Sequence, residues 1–136
     1  MYSYDSRIRV RYGETDRMGY LYYGNYPEYF EASRTELLRS LGLSYREIED
    51  RGIILPVRNL TVEYKHPALY DELLLVRSII RKKPEVRLDI DYEIYNEKEV
   101  LICKANTILV FVNAGTGKPC KAPDFFMDAV AKFFSF

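Results

Sequence analysis

The chain has 136 residues, with 20 Lys and Arg set against 20 Asp and Glu and a single histidine, so its formal charge is zero. Hydrophobic residues make up 48% and charged residues 29%, which supports one apolar core and excludes a disordered chain. The balanced charge, with no basic run longer than Arg81-Lys82-Lys83, argues against nucleic-acid or acidic-membrane binding and leaves a single domain over residues 1–136 as the expectation.

Residues 6–12 alternate Arg7, Arg9 and Arg11 with Ile8, Val10 and Tyr12, the period-2 pattern of a half-buried strand. A Tyr-rich stretch with glycines follows from Gly13 to Gly24. Asn25, three residues before Glu28 and with Pro27 in the first turn, then opens a helix expected from about Tyr26 to Leu41 and stopped by Gly42. Tyr26, Phe30, Ser33, Leu37 and Leu41 recur at helical spacing on its apolar side, and Glu28, Glu31, Arg34, Glu36 and Arg39 supply the polar side. Ser44 and Glu47 form a capping-box pattern for a short helix ending near Gly52. Segments 53–66, 72–82, 85–96 and 99–113 then read as strands, with residues 86–94 alternating without error. Their short links imply antiparallel neighbours. Pro123 to Phe136 reads as a short amphipathic helix.

The order is an α+β architecture: strand, long helix, short helix, four strands. A helix of about 16 residues is roughly 24 Å long and matches strands of seven or eight residues, so an antiparallel sheet can curl around it. Unpaired sheet edges make self-association the natural expectation. No segment has the pattern of a signal peptide or a membrane span, so a cytoplasmic location and no membrane partner are expected. Cys103 and Cys120 fit neither a disulfide framework nor a metal-ligand spacing and read as packing thiols. Asn113-Ala114-Gly115-Thr116-Gly117-Lys118 lacks the first glycine and the final Ser or Thr of a phosphate loop and reads as a turn.

The chemistry concentrates between the first strand and the long helix. Asp16 stands a few residues ahead of a helix N-terminus, where unpaired amides and the helix dipole polarise a carbonyl oxygen. A carboxylate that attacks a carbonyl or activates water, beside amide donors for the oxyanion, suits acyl transfer. The residues alone leave a second reading open, in which Asp16 caps a turn.

Arg9-Val10-Arg11-Tyr12, Glu14-Thr15-Asp16, Met18-Gly19, Asn25-Tyr26 and Tyr29-Phe30-Glu31-Ala32-Ser33-Arg34 together resemble the signature of hotdog-fold acyl-CoA thioesterases of the 4-hydroxybenzoyl-CoA thioesterase-like superfamily. The resemblance extends through Tyr64 to Pro67-Ala68 and Asp71-Glu72-Leu73. It implies a hotdog fold, in which a five-stranded antiparallel sheet wraps the long helix and active sites lie between two subunits of a homodimer or homotetramer. It also implies hydrolysis of an acyl-CoA thioester with no metal or cofactor, coenzyme A being part of the substrate. By this resemblance Asp16 is the nucleophile or general base, and the backbone N–H of Tyr23 polarises the thioester carbonyl. Tyr12, Met18, Gly19, Tyr20, Tyr22, Asn25 and Tyr26 are the expected substrate-binding positions.

Many bacterial relatives carry a histidine seven residues after the aspartate; here that position is Tyr23. A role carried by the main-chain amide survives this exchange. The single histidine, His66, reads as a strand-end hydrogen-bonding residue. Glu31 stays as a second carboxylate candidate, because another hotdog branch uses a helix glutamate, although a pairing with Arg34 is the structural alternative. Arg58, Lys65, Arg81, Lys82 and Lys83 are the basic residues available for coenzyme A phosphates, or simply solvated surface. Tyr20, Tyr22, Tyr23, Tyr26 and Tyr29 put five of the 13 tyrosines within ten positions, as pocket lining or as packing. Two rival functions fit the fold: a non-catalytic acyl-CoA or acyl-carrier binding module, and a hotdog hydratase or dehydratase.

Overall fold

Alternation over residues 86–94 becomes strand β5 (Arg87–Tyr95), whose Leu88, Ile90, Tyr92 and Ile94 are buried while Asp89, Asp91 and Glu93 lie on the other face. The computed structural model describes residues 1–134. With β5, the strands β1 (Tyr2–Arg9), β3 (Val57–Tyr64), β4 (Leu73–Ile80) and β6 (Leu101–Val110) form one antiparallel sheet in the order β1-β4-β5-β6-β3. A separate ribbon pairs β2 (Ile53–Ile54) with β7 (Val112–Asn113). The helices are α1 (Tyr26–Ser40), α2 (Tyr45–Asp50) and α3 (Asp124–Val130). This is the expected hotdog arrangement, one long helix held against a curled five-stranded sheet.

The helix α1 lies over β1 and β4 and reaches β5 through Phe30, which stacks on Tyr92 at a centroid distance of 4.8 Å. Phe30, Leu37 and Leu38 are fully buried, and Ser33 hydrogen-bonds Ser78 on β4. Gly42, at φ +79°, ends the helix in the left-handed conformation that favours glycine. Ser44 caps α2 by accepting from the Glu47 N–H at 3.1 Å. Arg34 departs from the polar stripe assigned to it. It is buried, and its Nε donates to the Tyr45 hydroxyl at 2.9 Å, so no Glu31–Arg34 pair forms and Glu31 stays exposed.

Several boundaries differ from the sequence reading, each for a local reason. The first strand begins at Tyr2 and ends at Arg9, drawn along β4 by the register Tyr2↔Ile80 to Arg9↔Leu73 and by the cross-strand ion pair of Asp5 with Arg77 at 2.8 Å. Segment 53–66 divides at Leu55-Pro56, where proline has no N–H for a ladder and its carbonyl accepts from Val110 at 3.1 Å. Segment 99–113 divides at Phe111, whose N–H turns to the Val86 carbonyl. Asn25 does not cap α1: a 3-10 turn at Tyr23–Asn25 runs directly into the helix, so its backbone is already helical and its side chain is directed elsewhere. The C-terminal helix ends at Val130 and continues as a 3-10 turn to Phe133; Ser135 and Phe136 lie outside the described residues. Residues 113–118 form the expected turn, with the Asn113 side chain accepting from Gly115 and Thr116. Cys103 is a buried thiol pushed up to about 12, chiefly by burial and then by Glu63.

The strand β3 is an edge, and α1 leaves it largely uncovered. Leu60, Val62 and Tyr64 stand opposite Thr107, Ala105 and Cys103 on the inner side, yet Leu60 is 39% and Tyr64 49% exposed. Among the described residues no helix is long and apolar enough to cross a membrane. Because Phe30 joins helix to sheet with no solvent contact, Phe30→Ala should lower unfolding free energy by about 3–5 kcal/mol in urea titration. A loss below about 1 kcal/mol would show that the core does not turn on this contact.

Candidate active site

The segment after β1 folds on itself instead of crossing open surface. A 3-10 turn at Tyr12–Glu14 is followed by a narrow hairpin in which Thr15 bridges Leu21, Asp16 N–H donates to the Tyr20 carbonyl at 2.8 Å, and Gly19 N–H returns to the Asp16 carbonyl. Gly19 sits at the tip with φ +78°, a conformation that strains other residues. One carboxylate oxygen of Asp16, Oδ1, accepts from the N–H groups of Met18 at 2.9 Å and Tyr20 at 3.3 Å. The turn-capping reading is therefore realised by one oxygen. Oδ2 makes no hydrogen bond among the described residues, and Asp16 is in no ion pair there.

What anchors this hairpin is Glu14, 8% exposed. Its carboxylate accepts from Arg11 N–H at 2.9 Å, Arg11 Nη2 at 3.1 Å and the Tyr29 hydroxyl at 2.8 Å. Its own carbonyl accepts from Tyr22 N–H and from Asn25 Nδ2, both at 2.9 Å. One residue thus ties the end of β1, the hairpin, the turn at 23–25 and the first turns of α1. Burial raises the Glu14 carboxyl, but the hydrogen bonds from Arg11 and Tyr29 outweigh it and the net displacement is downward. Tyr29 is displaced upward by burial and by the same carboxylate.

Beside the start of α1 is a cleft of about 290 Å³. Asp16, Met18, Tyr20, Tyr23 and Tyr26, all expected site positions, line it. Burial raises the phenol of Tyr26 well above its ordinary value. The other expected positions lie apart from it. Tyr12 is 79% exposed and packs edge-on against Tyr70 at 5.6 Å. Gly19 forms the hairpin tip, Asn25 is held by Glu14, and Tyr22 packs on Tyr23 at 4.8 Å while its ring covers Gly24. A Cβ at Gly24 would meet that ring at 2.6 Å, so glycine is required there unless Tyr22 moves.

The end of β3 and the residues beyond it, Tyr64, Lys65, His66 and Pro67, also line the cleft. This segment is docked by the Leu21 N–H, which donates to the Ala68 carbonyl at 2.7 Å, and by a Tyr20–Leu69 bridge. The Tyr64 hydroxyl donates to the Tyr23 carbonyl at 2.9 Å, and its ring stands edge-on to Tyr26 at 5.0 Å. The amides of Tyr22 and Asn25 are committed to carbonyls, whereas those of Tyr23 and Gly24 have no backbone partner among the described residues. The reading of His66 as a strand-end residue is half of the picture: its N–H donates to the Ile102 carbonyl at 3.1 Å, and the residue also lines the cleft that Asp16 lines. Glu14, Tyr64 and His66 had no site role assigned from sequence. For Tyr64 and His66 the available signal was their place in the resembling Tyr64-to-Ala68 stretch, while Glu14 stood inside the signature itself.

Other candidates fall elsewhere. Glu31 is not among the residues lining the cleft. Arg81 and Lys82 belong to the outer face of the sheet, paired with Asp91 at 2.8 Å and Asp89 at 3.8 Å. Of the basic residues, Lys65 lines the cleft, ion-paired with Glu63 at 2.9 Å. Among the described residues no three of His, Cys, Asp and Glu gather closely enough to hold a metal ion.

Residues 10–130 match the family model of the thioesterase-like superfamily. YneP of Bacillus subtilis (strain 168), a candidate acyl-CoA thioesterase, is 35% identical over 121 residues, covering 89% of this chain and 88% of YneP. YbgC of Escherichia coli O157:H7, named an acyl-CoA thioester hydrolase, is 31% identical over 116 residues, with 85% of this chain and 87% of YbgC covered. The crystal structure of a DHNA-CoA thioesterase from Staphylococcus aureus superposes with a TM-score of 0.91 at 36% identity, covering 98% of this chain and 91% of that one. Fold and relatives together define a hotdog-fold thioester hydrolase. Within that class the chain belongs to the thioesterase-like superfamily.

The lowered carboxyl of Glu14 makes a pH signature. A depressed folded-state value stabilises the fold above the unfolded carboxyl value of about 4.3 and is lost as pH falls through the folded value. Thermal melts of Glu14→Gln should therefore lie below those of the unsubstituted protein at neutral pH, with the gap closing under acid conditions. A gap that stays constant with pH would contradict the assignment.

Proposed function

We propose that the protein hydrolyses an acyl-CoA thioester to a carboxylic acid and free coenzyme A. The observation that carries the reading is that Asp16 and the turn opening α1 share one cleft, with one carboxylate oxygen and the Tyr23 N–H uncommitted. The carboxylate acts as nucleophile on the thioester carbon or as base on a water. The Tyr23 N–H, at the positive end of α1, donates to the developing oxyanion, a donor of the kind that contributes about 3 kcal/mol to catalysis. Asp16 keeps its orientation because Oδ1 is tied to two amides, and the turn keeps its own because Tyr64 holds the adjacent peptide by the Tyr23 carbonyl. Tyr20 and Tyr26 give the acyl group apolar faces with polar tips, and Met18 adds an apolar surface. The relatives named as thioester hydrolases favour hydrolysis over hydration chemistry and over non-catalytic binding.

The reading includes a second copy of the chain. The β3 edge exposes both backbone groups and inward-facing apolar side chains beside the Asp16 cleft, and antiparallel pairing of two such edges satisfies the former and covers the latter. A coenzyme A ester as substrate and the two free thiols Cys103 and Cys120 favour a cytoplasmic location.

Asp16→Asn should reduce thiol release from acyl-CoA by about a hundredfold or more while acyl-CoA still binds and the melting temperature holds. Full activity of that variant would remove Asp16 from the chemistry. Sedimentation should show a dimer or a dimer of dimers. A monomer at micromolar concentration would contradict the pairing of β3 edges.

A further inference from the structure

We propose that His66 is the proton donor to the departing thiol, acting within the cleft that Asp16 also lines; this rests on the acyl-CoA hydrolase reading. His66 is the single histidine of the chain, and it reaches the site from a segment fifty residues away. Its backbone is fixed twice: its N–H donates to the Ile102 carbonyl, which also accepts from Lys65 at 2.8 Å, and the following Pro67 confines it to an extended conformation. His66 is exposed, its imidazole makes no hydrogen bond among the described residues, and the residue lines the same cleft as Asp16, Tyr23 and Tyr26. Lys65 also lines the cleft, and it is ion-paired with Glu63.

The chemistry calls for such a group. When the Asp16 carboxylate bonds to the thioester carbon, the intermediate can expel either carboxylate or thiolate. A carboxylate is the better leaving group by several orders of magnitude, since carboxyl groups ionise near about 4 and aliphatic thiols near about 8.5. Collapse therefore runs backwards unless the sulfur is protonated as it leaves. In the forward direction the C–S bond breaks, its electron pair goes to sulfur, and sulfur takes the proton of the imidazolium. Water then attacks the mixed anhydride at the acyl carbon and returns a proton to the imidazole, so that the acid is released and Asp16 is again a carboxylate. If Asp16 serves as base instead, water gives its proton to Asp16, sulfur takes that of His66, and the imidazole is recharged from the Asp16 carboxyl. Both routes sum to thioester plus water giving acid plus thiol, and imidazole is the side chain suited to both transfers near neutral pH.

The test compares two thioesters of one acyl group, the coenzyme A ester and the S-phenyl ester, whose thiophenolate leaves without help. His66→Gln should slow kcat for the coenzyme A ester by about tenfold or more and leave the S-phenyl ester within about twofold of the unsubstituted protein. No loss on either ester overturns the proposal, and so does an equal loss on both, which would mark a binding or structural role. Asp16→Asn is run alongside. If it hydrolyses both esters at full rate, the hydrolase site itself is wrongly placed, an outcome distinct from any result with His66.

Discussion

The site depends on one buried carboxylate. Glu14 is removed from water and offered three donors from two residues, Arg11 just after β1 and Tyr29 on α1, so it stays ionised inside the fold. Buried charge is tolerated when its lone pairs are filled, and the same bonds then fix whatever they join. Here they join the strand that leads into the hairpin to the helix that leads out of it. The Glu14 carbonyl repeats the operation on the backbone, receiving Tyr22 and Asn25. Asp16, two residues on, and Tyr23, nine residues on, are thereby held to one frame.

A second frame meets the first from the sheet. Leu21 docks the segment after β3 through the Ala68 carbonyl, and Tyr64 reaches back to the Tyr23 carbonyl. The tyrosines that crowd residues 20–29 accordingly divide their work. Tyr29 is buried against the core, Tyr26 is buried and also lines the cleft with Tyr20 and Tyr23, and Tyr22 shields the Tyr23–Gly24 turn. Packing and pocket lining, alternatives on sequence grounds, are both present, and Tyr26 serves both.

Period and capping made much of the fold legible. The alternation of residues 86–94, the helical spacing of Phe30, Ser33 and Leu37 and the Ser44 cap are local signals, and each appears where the pattern puts it. What the pattern missed depends on partners distant in the chain. Tyr2–Asp5 precedes the alternation of residues 6–12 and is strand because β4 lies beside it. Arg34 reads as polar helix surface and is buried because Tyr45 answers its guanidinium. Asn25 has the spacing of a cap and serves Glu14 instead. The family signature drew attention to Asp16 and Tyr23, but it contained no statement of distance, so the arrival of His66 and Tyr64 at the cleft required the docking of 66–69 against the hairpin.

The central claim is that a peptide N–H at the start of α1 draws on the thioester carbonyl while Asp16 faces its carbon. Infrared difference spectra of an acyl-CoA labelled with carbon-13 at the thioester carbonyl, bound to Asp16→Asn so that it is not consumed, measure that pull directly. The account predicts a carbonyl stretch displaced to lower frequency than that of the same ester in water. A stretch at or above the solution frequency would contradict it.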